Sequence, residues 1–253
     1  MIRHSQTLTE KASWEAYFAQ ALQGQGQEHK NQAWWSIADR DANCLVQKLF
    51  GPHRPIRVLE AGCGSGGTSF SLSHFIPIEK LCLVDISPNA LSFAKSLENK
   101  NLKGKTEYVE SDIFHLNLGQ TFDLVWNIGV IEHYEIHAIQ AMVQQLYRSV
   151  SAGGYLVLGM PNRKSVAVLK AALLGSKWGK WLRWVPGYRN STEILYSDKE
   201  MARAISESLG TPVKIEHVGS SLWVGAFSFL VKIFDRLMKP NHFSFLTFFI
   251  VKK

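Results

Sequence analysis

A strand, a glycine-rich turn and the start of a helix follow one another between Ile56 and Ser69, IRVLEAGCGSGGTS. No other stretch constrains the chain as much. Arg57, Val58 and Leu59 are strand-like and lead into Glu60. Gly62, Gly64 and Gly66 follow at alternate positions, with Gly67 behind them, and Thr68 or Ser69 can cap the helix. Glycine tolerates positive φ and lets a ligand approach a backbone that has no Cβ. The helix start adds unpaired N–H groups and partial positive charge. A glycine-rich turn alone fits several nucleotides, or none. Its place between strand and helix, and a second acidic strand end at Asp85, favour a ligand site.

Around this turn the chain alternates strand and helix. IRVLEA is a strand and TSFSLSHFI a helix. KLCLVDIS is a strand, and SPNALSFAKSLENK a helix with Ser87 as cap and Pro88 in its first turn. KTEYVESDIF and TFDLVWNIG read as strands. AIQAMVQQLYRSV is a helix ended by Ala152-Gly153-Gly154, and GYLVLGMPN is a strand. SDKEMARAISESLG is a helix with the Ser197–Glu200 capping-box spacing. VKIEHVG and FSFLTFFIVKK close the chain as strands that can pair antiparallel at the sheet edge. The fold class is therefore α/β: a Rossmann-like, doubly wound, mostly parallel seven-stranded sheet with an antiparallel last strand and a helical insertion or cap. Such sheets bind ligands at the carboxyl ends of their strands.

The 253 residues suit one α/β domain with additions. Residues 1–50 read as an N-terminal helical cap, its apolar patch at Trp14, Tyr17, Phe18, Ala21 and Leu22, and residues 24–32 as a hinge. Residues 51–253 form the main domain, with an insertion at 163–196 and an apolar cap segment at 220–242. Three cysteines, Cys44, Cys63 and Cys82, form no CxxC pair, which points to a reduced, cytoplasmic protein without disulfide or zinc. No stretch has the length of a membrane-spanning helix, and no signal-peptide core opens the chain.

Three carboxylates fall at three successive strand ends: Glu60, Asp85 and Asp112. On a parallel sheet these ends line one rim. Asp85 stands nineteen residues after Gly66, the spacing of a carboxylate that accepts from ribose hydroxyls. Asp112 suits an exocyclic amine, with Ile113 packing on a purine. Each alone also suits a helix cap; three together below a glycine turn favour a nucleotide.

VLEAGCGSGG, LVDIS, ESDIF and FDLVWNIGVIEHY, in this order, resemble the class I S-adenosylmethionine-dependent methyltransferases. The resemblance runs from Arg57 to Asn162. It implies S-adenosyl-L-methionine as cofactor, with Glu60, Gly62, Gly64 and Gly66 around its methionine part and Asp85 on its ribose. It further implies Ile86, Asp112 and Ile113 at the adenine, and Asn127 and Ile128 beside the sulfonium. A dinucleotide-dependent dehydrogenase fits worse, because the turn reads GCGSGG and the SDI and IEHY segments then have no role.

The segment Asn127–Tyr134 opens on the rim where the methyl group must point. Transfer from a sulfonium is an in-line displacement in which alignment supplies most of the gain, and an oxygen acceptor also needs a base. His133 suits that role, oriented by Glu132; both residues equally suit a structural loop. The Glu-His pair is similar to that of the ubiquinone-biosynthesis O-methyltransferases, which carry a further metal-binding glutamate three positions earlier. Here Gly129 stands there, and no metal is expected.

The insertion holds KWGKWLRWVPGYR, in which Trp178, Trp181 and Trp184 recur every three residues, each one residue after Lys177, Lys180 and Arg183. Residues 177–189 suit peripheral contact with an anionic membrane, a lid over an apolar substrate, or packing on the core. Trp34 and Trp35, Tyr134, Trp181 and Trp223 are the candidate substrate wall, and a cleft walled in this way favours a small hydrophobic acceptor. The net charge of +7 comes from scattered residues, and no nucleic-acid module is present. The expectation is a monomeric or homodimeric methyltransferase, O-transfer preferred with C- or N-transfer open. The alternative is a non-catalytic cofactor-binding or membrane-associated module.

Overall fold

The computed structural model of the protein describes residues 2–24, 33–175, 193–221, 232–233, 235, 237 and 240–253; of residues 2–10, 33–35 and 173–175 it describes the backbone. Two helices, α1 (Ile2–Leu22) and α2 (Ala33–Phe50), precede the sheet. The strands are β1 (Ile56–Ala61), β2 (Ile78–Asp85), β3 (Thr106–Glu110), β4 (Phe122–Ile128), β5 (Val150–Pro161), β6 (Lys214–Val218) and β7 (Leu246–Lys252). Between them lie α3 (Gly67–Leu72), α4 (Pro88–Ser96), α5 (Ile136–Arg148), α6 (Val166–Gly175) and α7 (Asp198–Leu209).

The sheet order is β3-β2-β1-β4-β5-β7-β6. Pairs β1–β2, β1–β4, β2–β3 and β4–β5 are parallel; β7 runs antiparallel to both β5 and β6. The chain winds outward from β1 to β3, then returns to place β4 on the other side of β1. The direction of winding therefore reverses between β1 and β4, and a crevice opens at their carboxyl ends. The final two strands do pair antiparallel as expected, with β6 at the edge and β7 inside it.

Alternation along each strand divides the core into two layers. Val58, Leu81, Leu83, Leu124, Trp126 and Phe248 pack with α2 and α4 on one face. Leu59, Ala61, Cys82, Val84, Val125 and Phe249 pack with α5 and α7 on the other. Strands covered on both faces explain the near-continuous apolar runs in the sequence.

Two start signals in the sequence are realised and one is not: α3 starts after Gly66 with no side-chain cap, and Thr68 Oγ1 donates instead to Asp39 at 2.9 Å. The Ser87 hydroxyl accepts from the Ala90 N–H at 3.1 Å, and Ser197 with Glu200 forms the full capping box. Several boundaries differ. β3 ends at Glu110, and Ile113–His115 is a single 3-10 turn, because Asp112 Oδ1 takes the Phe114 N–H at 2.9 Å and bends the chain. α3 stops at Leu72, short of the expected run to Ile76. α5 ends at Arg148 rather than at the Gly153-Gly154 pair, which lies within β5. The glycines fit there because a Cβ on Gly154 would stand 2.6 Å from the Asp123 carbonyl oxygen.

Candidate active site

The glycine turn after β1 is held from β2. Gly62 and Cys63 donate their N–H groups to the Val84 carbonyl at 2.8 and 2.9 Å. The Gly64 N–H donates to Asp85 Oδ2 at 2.8 Å, and the Ser87 N–H to Asp85 Oδ1 at 3.0 Å. Gly62 and Gly64 have φ of +69° and +50°. A Cβ on Gly62 would lie 2.6 Å from Val130 Cγ2, so no larger residue fits without displacing the loop after β4.

Above this turn lies a cavity of about 190 Å³ lined by Gly62, Cys63, Gly64, Asp85, Ile86, Asp112, Ile113, Phe114, Ile128, Gly129, Val130, His133 and Tyr134, and by Trp14 and Phe18 of α1. The turn amides and the Asp85 and Asp112 carboxylates are its polar lining. Aromatic side chains complete it, with Phe114 and Tyr134 in edge-to-face contact at 5.4 Å and Trp14 edge-on to His133 at 6.0 Å.

Ile131–His133 forms a 3-10 turn that follows Gly129, whose φ is +79°. The residues returning from the insertion pin this turn: the Ile194 N–H donates to the Glu132 carbonyl at 2.7 Å, and the Tyr196 hydroxyl to the Tyr134 carbonyl at 3.3 Å.

Four expected site residues stand behind the cavity surface. Glu60 is buried under the turn. Burial pushes its carboxyl up to about 8, with Asp39 and Asp85 adding to the rise and Ser69 hydrogen bonds opposing it. Gly66 packs against Leu83 and Phe70. Asn127 is fully buried and donates from Nδ2 to the Ala61 carbonyl at 2.6 Å, tying β4 to the end of β1. Glu132 is also buried, and its carboxyl is pushed up to about 8 by burial, against a hydrogen bond from its own backbone and with help from Glu193. Asp85 is raised as well, by burial, against the lowering effect of the Ser87, Gly64 and Ile86 amides.

Trp34 and Trp35 open α2, with side chains outside the described residues, as are Trp181, Trp223 and the whole of 177–189. Within the described residues the aromatic wall comes from the expected Tyr134 and from Trp14, Phe18 and Phe114. Trp14 and Phe18 stood in the apolar patch of the first helix, but nothing in their spacing says which part of the sheet that helix crosses. Among the described residues, no group of three His, Cys, Asp or Glu side chains is placed to hold a metal ion.

Residues 58–154 match a family described as a methyltransferase domain. This stretch is a methyltransferase domain of the class I S-adenosylmethionine-dependent kind. The chain is 22% identical over 199 residues to the malonyl-[acyl-carrier protein] O-methyltransferase of Bacillus anthracis, covering 76% of this chain and 68% of that one. To the mitochondrial ubiquinone biosynthesis O-methyltransferase of Schizosaccharomyces pombe it is 28% identical, covering 66% and 57%. The chain spans between about half and two thirds of the length of such curated relatives. Its fold is similar to that of the magnesium protoporphyrin IX methyltransferase from Synechocystis PCC 6803 with bound S-adenosylmethionine. The TM-score is 0.59 at 15% identity, with 98% of this chain and 97% of that chain covered.

The cavity fits S-adenosylmethionine. Glu60 Oε2, beneath the turn, is a buried oxygen without a hydrogen-bond partner among the described residues, and an ammonium bound over the turn would draw that carboxyl into its ionised form. The two positive-φ glycines leave the cradle open. Asp85 stands where ribose hydroxyls can donate to it, and Ile86 and Ile113 offer apolar faces to a purine.

Proposed function

We propose that the protein transfers the methyl group of S-adenosylmethionine to a small, largely apolar acceptor, to oxygen by preference. The observation that carries this reading is that Asp85, the glycine turn and His133 line one cavity, with Trp14 edge-on to the His133 ring. The cofactor, when bound, supplies an electrophilic methyl group on a sulfonium. The glycine turn, Asp85 and the apolar faces of Ile86 and Ile113 would hold it. Phe114, Tyr134 and Trp14 would shield the acceptor from water and fix its plane. His133 would take the hydroxyl proton as the oxygen attacks. Holding donor and acceptor in line supplies much of the rate gain in such a displacement, and a placed base adds about 10²–10⁴-fold. Both curated relatives described above carry O-methyltransferase names, which supports oxygen over carbon or nitrogen.

The test is S-adenosylhomocysteine release with a panel of apolar phenols, carboxylic acids and amines. The reading expects turnover on a hydroxyl or carboxyl acceptor, and a fall of about 10²-fold or more in His133→Ala with cofactor affinity retained. Cofactor binding without turnover on any acceptor would favour a non-catalytic module. An unchanged rate in His133→Ala would return that residue to a loop-holding role.

A further inference from the structure

One turn of α1 touches both halves of the cleft. The Glu15 carboxylate accepts from the Ser87 hydroxyl, and the Glu15 carbonyl accepts from Asn89 Nδ2 at 3.3 Å. Ser87 is the residue whose N–H holds Asp85 Oδ1. The neighbouring residue, Trp14, points to the other half: its ring meets the His133 ring at 82°. One helical turn along, Phe18 packs in a small apolar cluster with Ala21, Ala90 and Phe93 and covers Gly64, where a Cβ would lie 3.2 Å from Phe18 Cζ. Trp14 and Phe18, at i and i+4, share the face of α1 that looks into the cavity. Trp14 is nonetheless 37% exposed, so burial of the indole is not what fixes its place.

We propose that α1 is a positioning element of the active site. Glu15 ties it to the cofactor-holding loop through Ser87, and Trp14 sets the orientation of the His133 ring, so occupancy of the ribose end and placement of the acceptor-side imidazole are linked through adjacent residues of one helix. This rests on the methyltransferase reading above. An edge-on aromatic contact favours particular ring orientations, and a linkage of this kind is reciprocal: whatever filling one end does to the other, the other does in return.

The test uses the full chain and S-adenosylhomocysteine as the probe. Affinity is measured by isothermal titration for wild type, Glu15→Ala, Trp14→Ala and Trp14→Phe. The His133 Cε1–H resonance, assigned through His133→Gln, is followed by NMR with and without the probe. Glu15→Ala should bind the probe about five- to tenfold more weakly, with the ligand-free melting temperature held, and should shrink the response of the His133 resonance to the probe. Trp14→Ala should move the His133 resonance in the ligand-free protein, and Trp14→Phe should move it less. Probe affinity within twofold of wild type in Glu15→Ala, or a His133 resonance untouched by Trp14→Ala, would overturn the proposal while leaving the methyltransferase reading intact. Failure of the wild-type protein to bind the probe at all would overturn both.

Discussion

The backbone N–H of Gly64 donates to Asp85 Oδ2 at 2.8 Å, so the residue that ends β2 also shapes the turn that follows β1. Its other oxygen takes the Ser87 N–H. Each carboxylate oxygen has a second lone pair, which leaves acceptors for ribose hydroxyls. Asp85→Ala removes the turn's anchor and the cofactor's partner together. S-adenosylhomocysteine affinity should fall by about thirtyfold or more, on the order of 2 kcal/mol for a lost charged hydrogen bond. Asp85→Asn keeps one oxygen and loses the charge, so it should fall between. Calorimetric titration of the three proteins checks the order, and an alanine variant within twofold of wild type would remove Asp85 from the site.

Glu60 makes cofactor binding depend on pH. Its carboxyl, pushed up to about 8 by burial, holds a proton in the ligand-free protein at pH 7. A bound ammonium favours the ionised form, so binding should release that proton. Affinity for S-adenosylmethionine should then rise with pH between about 6 and 8, by up to tenfold per unit, and level off above. Titrations at pH 7 in two buffers of different ionisation enthalpy read the proton directly. Glu60→Gln should abolish both the release and the slope. Equal apparent enthalpies in the two buffers for wild type would refute the assignment.

Sequence and structure agree where local chemistry decides. β1 lies where its apolar run puts it, between a break at Gly51-Pro52 and the glycines, and both helix caps at Ser87 and Ser197 follow from side chains that compete for the first N–H groups. Asp85 and Asp112 reach one rim because parallel strands of similar length end together. What the sequence conceals is long-range placement. Whether Asn127 faces the cavity or the Ala61 carbonyl depends on one rotation of a buried amide. Trp14 lies 119 positions before His133, and an amphipathic helix does not say which groove it will fill. The tryptophan-rich insertion lies outside the described residues, and the described wall draws on α1 together with Phe114 and Tyr134.

Gly62 and Gly119 separate steric exclusion from backbone strain. Both have positive φ, +69° and +61°. A Cβ on Gly119 would meet nothing within 4 Å, whereas on Gly62 it would lie 2.6 Å from Val130 Cγ2. Gly119→Ala should cost about 1–2 kcal/mol of stability through its backbone alone and leave cofactor affinity unchanged. Gly62→Ala adds overpacking of about 1–3 kcal/mol and pushes the Val130 loop into the cavity. It should lose at least tenfold in S-adenosylhomocysteine affinity. Thermal melts and titrations of the pair would test this; equal affinities in the two variants would show that the turn has room to spare.

Glu132 bears on stability rather than binding. Its carboxyl is raised from 4.5 to about 8 in the folded protein by burial, and Oε2 has no hydrogen-bond partner among the described residues. For an acid raised in this way the folded state binds the extra proton between the two values, so stability falls as pH rises from about 4.5 to about 8 and is flat outside that window. Above pH 8 the charge must be carried without a matching partner, which is the costly case for a buried group. Glu132→Gln keeps the shape and removes the titration. Its melting temperature should match wild type near pH 5 and exceed it by several degrees near pH 8.5. Glu60 contributes a slope of the same sign, so the variant should flatten the wild-type curve without levelling it, and the Glu60→Gln, Glu132→Gln double variant should flatten it further. Melting curves from pH 5 to pH 9 on the ligand-free proteins decide the matter. A Glu132→Gln variant that tracks wild type across the range would mean that the carboxyl stays ionised, held by charge or solvent at the base of the His133 loop.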